Sequence, residues 1–398
     1  DFCLSRGLGD VYKRQIPGVL RVGIEVTPSS LNPLLGQNTT EGFLTRLISD
    51  PLVTADERGN PVPALAAVVP TQHNGGISSD GLTITYRLRT GVRWQDGVPF
   101  TSRDVCFTYR AIMNPDNNVI TRHGYDLVKT CETPDDATVV FRLKQRFSPI
   151  VETLFAESDN PYTIVPQHLL AKYPNINRVQ YNSAPIGTGP FKVTRWVRGE
   201  RIEFAANPDY FLGTPRLRRL VVKLIPDENT GITQMRTHEI DWWFEATPNA
   251  YREYKTMPNI ENVLVQENQY YAMMFNVARP LLQDVRVRRA IAYAIDRPSL
   301  VARFTSGSAV VATEDLPDTM WAYDPNVTRY PYDVARARAL MRSAGWSPGP
   351  DGVLRKADRR MSLELSFNSA SATSRVVSVQ IQSCLLYTSP SPRDRQKS

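Results

Sequence analysis

Short period-two hydrophobic stretches alternate with amphipathic helical ones along this chain, and that alternation restricts its fold more than any other feature. Val19–Glu25 (VLRVGIE) alternates like a half-buried strand, and so do Leu82–Leu88 and Val139–Leu143. Between them fall helix patterns. Glu41–Ile48 stops ahead of Asp50-Pro51, and Thr101 is a good N-cap for a helix through Ala111, with Asp104 in its first turn. Pro166 stands where a first-turn proline would, ahead of QHLLAKY. Phe191–Trp196 and Arg201–Ala205 flank Arg198-Gly199-Glu200, a hairpin signal. Further on, Leu220–Ile225, Ile240–Phe244, Tyr270–Phe275 and Leu363–Phe367 read as strands. Asn229–Arg236, Asp284–Ile295, Asp333–Ala344 and Ala370–Ile381 read as helices, the third ended by Gly345. Neither a repeat nor a low-complexity tract interrupts the mixture, so an α/β chain is expected. With 398 residues it exceeds what one core supports, which implies two or more domains. No run approaches the ~18 apolar residues of a membrane span.

The two ends read differently from the middle. Ser5–Gln15 is SRGLGDVYKRQ and Cys384–Asp394 is CLLYTSPSPRD. A back-translation of the first, reverse-complemented and read one base out of phase, spells Cys384–Arg393. Two tails encoded by opposite strands of one oligonucleotide resemble an adapter translated at both ends of a gene fragment. Residues 1–15 and 384–398 are therefore expected to be non-native, leaving a body of 368 residues, 16–383. The tails carry three of the seven net positive charges, so the body is +4. On this reading the signal peptide and the natural C-terminus lie outside the fragment.

Motifs for catalysis are sparse. His73, His123, His168 and His238 are scattered. His238-Glu239 begins like a zinc-protease HExxH, but position 242 is Trp and supplies no second ligand. There is no GxSxG, no P-loop and no spaced CxxC pair. Gly187-Thr188-Gly189-Pro190 has a GxG core, yet Pro190 and the strand pattern behind it offer no phosphate-cradling helix N-terminus. No enzyme, metal or cofactor is expected. The basic clusters Arg216, Arg218, Arg219 with Lys223, and Arg286, Arg288, Arg289, are short, and +4 over 368 residues is a weak field, so nucleic acid is not an expected partner. Two cysteines remain in the body. Cys106 and Cys131 are either two buried thiols or a disulfide closing a 26-residue segment.

One ordered set of strings carries a resemblance. It begins with DGLTITYRLRTGVRWQDGVPFTSRDVCFTYRAI from Asp80 to Ile112, including Gly91, Trp94, Asp96-Gly97, Pro99-Phe100-Thr101 and Asp104-Val105. Gly187–Phe191 and Asn207-Pro208-Asp209-Tyr210 follow, then Glu239-Ile240-Asp241 and Phe275-Asn276. Asp284–Arg288 with Ala294–Arg297, Tyr330–Asp333 and Ala344-Gly345 close the series. In order and spacing the set resembles the extracytoplasmic solute-binding proteins of oligopeptide and dipeptide ABC importers, family 5. Physically, Asp96-Gly97 suits a tight turn, Gly189-Pro190 a strand start at a sheet edge, and Arg286 and Arg288 structural ion pairs.

The resemblance implies a two-lobed periplasmic-binding-protein fold of the type II, cluster C kind, with lobes closing by a hinge on a ligand. Lobe one would span residues 16–266 with an inserted subdomain near 51–182, and lobe two, incomplete, 267–383. It implies a monomeric, non-enzymatic protein that captures di- or oligopeptides and delivers them to a membrane permease, in the periplasm or lipid-anchored outside the cytoplasmic membrane. Because that family is exported, the Cys106–Cys131 disulfide is favoured over free thiols. Relatives binding nickel chelates, opines, glutathione or sugars set the alternative ligands, and a sensor or peptide chaperone without transport is the alternative role. Carried over by position, the ligand residues would be Gln37, Asn38, Thr39, Phe244, Glu245, Tyr270 and Tyr271, with Asn276 and Trp321 as weaker members. Trp242 and Trp243 are expected in the core, and Tyr270 and Tyr271 alternate, so at most one should face a ligand. The aspartate that pairs with a peptide's amino terminus in family members would lie beyond residue 383.

Overall fold

The computed structural model describes residues 16–36, 38–56, 59–156, 162–264, 270–305, 309–316, 318, 323–367 and 372–388. They divide into two compact units between Glu245 and Ala246. This is ahead of the 266/267 boundary expected from the sequence, because the helix Pro248–Tyr254 packs against Arg297–Thr305 within the second unit.

In chain order the first unit runs β1 (Val19–Ile24), α1 (Thr39–Ile48), β2 (Val53–Ala55), β3 (Pro61–Pro63) and β4 (Thr83–Arg87). Then come α2 (Ser102–Met113), β5 (Val128–Asp135), β6 (Thr138–Leu143), α3 (Ile150–Thr153) and α4 (Gln167–Leu170). It ends with β7 (Phe191–Val197), β8 (Arg201–Ala206), β9 (Arg219–Leu224), α5 (Glu228–Arg236) and β10 (Trp242–Trp243). The main sheet has the order β10-β1-β9-β8-β7. Its β10, β1 and β9 are parallel, with Val22 opposite both Trp242 and Val222. The hairpin β7–β8 continues it antiparallel, so the strand after Gly189-Pro190 is an edge strand. Leu44 and Ile48 of α1 share a core with Val22, Phe204 and Val222 of the sheet. Asn38 begins α1 by accepting the Glu41 N–H at 2.9 Å, the N-cap bond that satisfies an orphan donor.

The stretch between α1 and β7 has sheets and a core of its own. β2 pairs with β3, and β6 lies between β4 and β5. Leu52, Ile84, Tyr86, Trp94, Phe141 and Phe155 belong to one buried cluster there. Helix α2 starts at Thr101, whose N–H donates to the Asp104 carboxylate at 2.9 Å, half of a capping box. Asp104 also accepts Trp94 Nε1–H and the Gln167 N–H, tying the turn before α2 and the start of α4 to one carboxylate. Pro166 sits at the N-cap of α4. Cys106 of α2 and Cys131 of β5 are bonded, with Cα atoms 5.6 Å apart. The bond pins edge strand β5, whose pairing with β6 is irregular on both sides of Cys131.

The subdomain hangs from the sheet by two crossings, and the chain comes unusually close to itself there. The Gly189 N–H donates to the Ile48 carbonyl at 2.7 Å. A Cβ on Gly187 would lie 1.9 Å from that oxygen, and one on Gly189 2.5 Å from its carbon. Only glycine fits a backbone crossing so tight. Gln95, in the turn after Trp94, closes the same joint. Its Nε2 donates to the carbonyls of Phe191 (2.8 Å), Gly189 (3.1 Å) and Ile48 (3.3 Å), and its Oε1 accepts the Gly187 N–H.

The second unit contains α6 (Pro248–Tyr254), α7 (Pro280–Gln283), α8 (Val285–Ala294), α9 (Arg297–Thr305) and α10 (Val334–Ser343). It continues with β11 (Ser347–Pro348), β12 (Leu354–Lys356), β13 (Arg359–Arg360) and α11 (Ala372–Thr388). Helices α8 and α10 pack together and bury Ala290, Tyr293, Ala294 and Ala337. Asp284 caps α8, and Arg286 returns to it with Nη2 2.7 Å from Oδ2, which holds the Asp284 carboxyl down to about 2. Arg286 also reaches the Ser343 carbonyl at the end of α10. Among the described residues Arg288 has no ion-pair partner of the expected kind. It donates to the carbonyls of Leu282 and Gln283.

Two expected strands are absent from the second unit. Tyr270–Phe275 and residues 363–367 belong to no ladder among the described residues. The first keeps its alternation, with Met273 and Phe275 half-buried beside the exposed Met274. Alternation makes a segment fit for a sheet, but a strand also needs a partner to satisfy its backbone, and no described segment provides one. Helix α11 runs to Thr388, past the expected end at Ile381.

Two outcomes test this architecture. Gly187→Ala drives a methyl group into the Ile48 carbonyl and should cost about 2–3 kcal/mol, read as a lower chemical-denaturation midpoint. Replacing Cys106 and Cys131 by serine should cost roughly 3 kcal/mol, and dithiothreitol should lower the Tm of the parent chain but not of the double variant.

Candidate functional site

In an open sheet with parallel strands, ligands are received outside the carboxyl ends of those strands. In the first unit those ends are Glu25 after β1, Asp227 and Glu228 after β9, and Phe244 and Glu245 after β10. Three of these carboxylates, Glu25, Asp227 and Glu228, lie close enough to act on one another. Partial burial and the charges of Glu228 and Asp227 raise the Glu25 pKa above its usual range. Asp227 is committed to the start of α5, where it accepts Thr230 N–H at 2.8 Å.

β10 owes its position to two contacts. Arg21 of β1 makes a two-pronged bond to Asp241, Nε to Oδ2 at 2.8 Å and Nη2 to Oδ1 at 2.7 Å, and the Arg21 N–H adds a third at 2.9 Å. Burial works against the Asp241 anion, but these bonds and the Arg21 charge hold its carboxyl below the ordinary range. On the other side, Trp243 is 5% exposed and packs where a Cβ on Gly231 of α5 would come within 2.1 Å of its ring. Glycine in that helix is the space the indole occupies.

Alternation then turns the neighbours of Trp243 the opposite way. Trp242 is 41% exposed. It meets Phe43 of α1 edge-on at 5.4 Å, and Phe244 stacks on Phe43 at 4.5 Å between ring centroids. Trp242 and Phe244 close the triangle at 5.9 Å. The result is a partly exposed aromatic surface beside the strand ends, able to hold apolar or cationic side chains by stacking and ring-face attraction. Trp242 is thus a surface residue, contrary to the core position expected, and Phe43 had no assigned role. The period-two pattern of Asp241–Phe244 could have separated Trp242 from Trp243. Nothing in the sequence marks Phe43, since a phenylalanine on an amphipathic helix ordinarily reads as core.

The remaining site residues fall in several places. Asn38 is exposed, with its side-chain oxygen accepting the Glu41 N–H at the start of α1. Thr39 is exposed at the first position of α1, and Gln37 lies outside the described residues. Glu245 is exposed, with its backbone in the left-handed region at φ +58°. In the second unit Tyr270 and Tyr271 are both exposed, the latter at 85%, so no strand turns one of them inward. Asn276 accepts the Ala278 N–H at 3.1 Å and shapes a local turn. Trp321 lies outside the described residues. Among the described residues, no group of three or more His, Cys, Asp or Glu is placed to hold a metal ion.

Known proteins match this architecture. The model of the bacterial extracellular solute-binding proteins, family 5 middle region, matches residues 60–385. Protein XP55 of Streptomyces lividans is 32% identical over 349 residues, 87% of this chain and 61% of that protein. The oligopeptide-binding protein AppA of Bacillus subtilis is 28% identical over 376 residues, 93% of this chain and 67% of that protein. The chain thus spans about three-fifths to two-thirds of the length of these relatives. Among solved structures, NikZ from Campylobacter jejuni in complex with Ni(L-His) superposes with TM-score 0.80 at 28% identity, covering 94% of this chain and 73% of that one. AppA from Bacillus subtilis in complex with a nonapeptide gives TM-score 0.77 at 26% identity, covering 95% and 74%.

The Arg21–Asp241 pair sets a testable pH dependence. Because the Asp241 carboxyl is held below its unfolded value, its contribution is present above about pH 4 and is lost as pH falls through the depressed value. Asp241→Asn should lower stability at neutral pH by roughly 1–3 kcal/mol, and the difference from the parent should shrink toward pH 3 in urea titrations.

Proposed function

The chain belongs to family 5 of the bacterial extracellular solute-binding proteins, with the two-lobed α/β fold of that family, and from this we propose that it is the solute-capturing component of an ABC importer whose solute is a peptide. It would perform no chemistry. Its work is to bind a solute outside the cytoplasmic membrane, close, and present it to a membrane permease. The observation that carries the peptide reading is the match to the Bacillus subtilis oligopeptide-binding protein across 93% of this chain, joined to a partly exposed aromatic surface at the strand ends. Such a surface suits side chains of varied shape, because stacking tolerates many partners.

Within this reading Phe43, Trp242 and Phe244 form one wall for ligand side chains. Glu245 and Thr39 stand at its rim, and Glu25 adds negative charge that a basic side chain would complement. Gln37, Tyr270, Tyr271 and Trp321 are further ligand candidates. Asn38 and Asn276 would act through the backbone they shape. A disulfide within the first unit accords with residence in an oxidising compartment, periplasmic or lipid-anchored on the outer face of the cytoplasmic membrane.

A second reading has its own support: the likeness to NikZ, solved with Ni(L-His), has TM-score 0.80. Titration calorimetry on the protein from the complete gene separates the two. Tri- to nonapeptides should release heat and saturate, whereas Ni(II) with histidine should not. Saturation by the nickel complex alone would overturn the peptide reading. Trp242→Ala or Phe244→Ala should weaken peptide binding about tenfold, the loss of roughly 1.4 kcal/mol of ring contact, with the fold retained by circular dichroism.

A further inference from the structure

We propose that Asp50 is a proton-operated joint between the main sheet and the inserted subdomain, tightening the attachment when its carboxyl is protonated and loosening it when ionised. Asp50 is where the chain leaves α1 for the subdomain, and Thr188 is where it returns toward β7. The two crossings are tied through this one side chain. Asp50 Oδ2 accepts the Thr188 hydroxyl at 2.8 Å, and the Asp50 N–H donates back to Thr188 Oγ1 at 3.2 Å. Oδ1 accepts the Tyr210 hydroxyl, also at 2.8 Å, from the segment following β8. The Asp50 carbonyl accepts the Ile164 N–H of the subdomain. The residue is 7% exposed.

Both side-chain donors are neutral, so among the described residues the carboxylate is buried without a compensating cation. Arg89 acts electrostatically on Tyr210. Its guanidinium is spent on the carbonyls of Ala64 (2.6 Å) and Pro63 (3.4 Å) and lies over the Phe211 ring. Lys192 donates to the Gln95 carbonyl. Tyr181, beside Ser49, donates to the Ile186 carbonyl, and its hydroxyl is raised by burial. Tyr210 is raised by burial and by the Asp50 charge itself. Burial pushes the Asp50 carboxyl up to about 6, with the Thr188 and Tyr210 bonds pulling part of the way back. A folded value above the unfolded one means that proton binding favours the folded joint. That contribution is complete below about pH 4 and is lost as pH rises through about 6.

Hydrogen exchange on the intact chain, corrected for intrinsic rates, tests the joint at about pH 5 and about pH 7.5. Amides at Ser49–Leu52 and Gly187–Gly189 should lose protection about tenfold or more at the higher pH, with a midpoint near 6, while those of α8 serve as the control. Asp50→Asn should abolish the difference. Tyr210→Phe keeps the carboxyl but removes a donor that favours its ionised form, and should move the midpoint upward. The same pH response in Asp50→Asn, or an unmoved midpoint in Tyr210→Phe, would overturn the proposal. Should Asp50→Asn not fold, Tyr210→Phe decides alone.

Discussion

The contact on which the first unit depends is the crossing of the Gly187–Gly189 backbone over the end of α1. A long insertion can be carried between a helix and the next strand of a sheet only if its two ends are brought together and held. Here the return segment lies so close to Ile48 that no side chain fits, and the Gly189 N–H bonds the carbonyl of the helix's last residue. Gln95 comes from inside the insertion and bonds three carbonyls around that crossing. The joint thus uses backbone from the body, backbone from the return segment and one side chain from the subdomain. Strings that look unrelated in sequence, at Trp94–Gly97, Gly187–Phe191 and Asn207–Tyr210, meet at this point. Asn207 completes it by donating to the Gly189 carbonyl at 3.1 Å.

The aromatic surface follows from packing on the other edge of the same sheet. β10 is only two residues long, too short to fix its own register. The Arg21–Asp241 bonds fix it from one end, and the indole of Trp243 seated against Gly231 fixes which face turns inward. Once Trp243 is buried, the pleat leaves Trp242 and Phe244 on the opposite face, where Phe43 meets them. A one-residue slip would exchange the two tryptophans and bury the wall. The exposed aromatics are therefore a consequence of a buried one.

How far the residues foretold this depends on how local each interaction is. β1, α2, the β7–β8 hairpin, α8 and α10 are all legible, because alternation, caps and turn residues lie within one stretch of sequence. The Cys106–Cys131 pair was open on spacing alone, and only resemblance to an exported family favoured a bond. The expected strands at Tyr270–Phe275 and residues 363–367 show the limit. Their alternation is present, but a ladder is a property of two segments. The site shows it again: the capping role of Asn38 is local and could be read from Glu41 three residues on, whereas the company of Phe43 could not. The unit boundary shifted for a related reason, since nothing in residues 248–254 alone reveals that α6 packs on α9.

The basic composition also has an explanation in the loops. Thirty prolines lack a backbone N–H, and long connecting segments leave carbonyls outside any ladder, so donors are in short supply. Arginine carries five N–H groups in a fixed fork and stays charged when half-buried. It is used here as a tie between loops: Arg89 to Ala64, Arg122 to Asn114 and Asn117, Arg146 to Asp80, and Arg218 to Pro17, each at a backbone carbonyl. Arg198 lies 3.3 Å from the centroid of the Trp196 ring while donating to the Ser29 carbonyl and the Ser183 hydroxyl, which fastens the loop after β1 to the hairpin tip. Arg286 and Arg288 do the same around α8 in the second unit. The excess of arginine is the counterpart of the excess of proline.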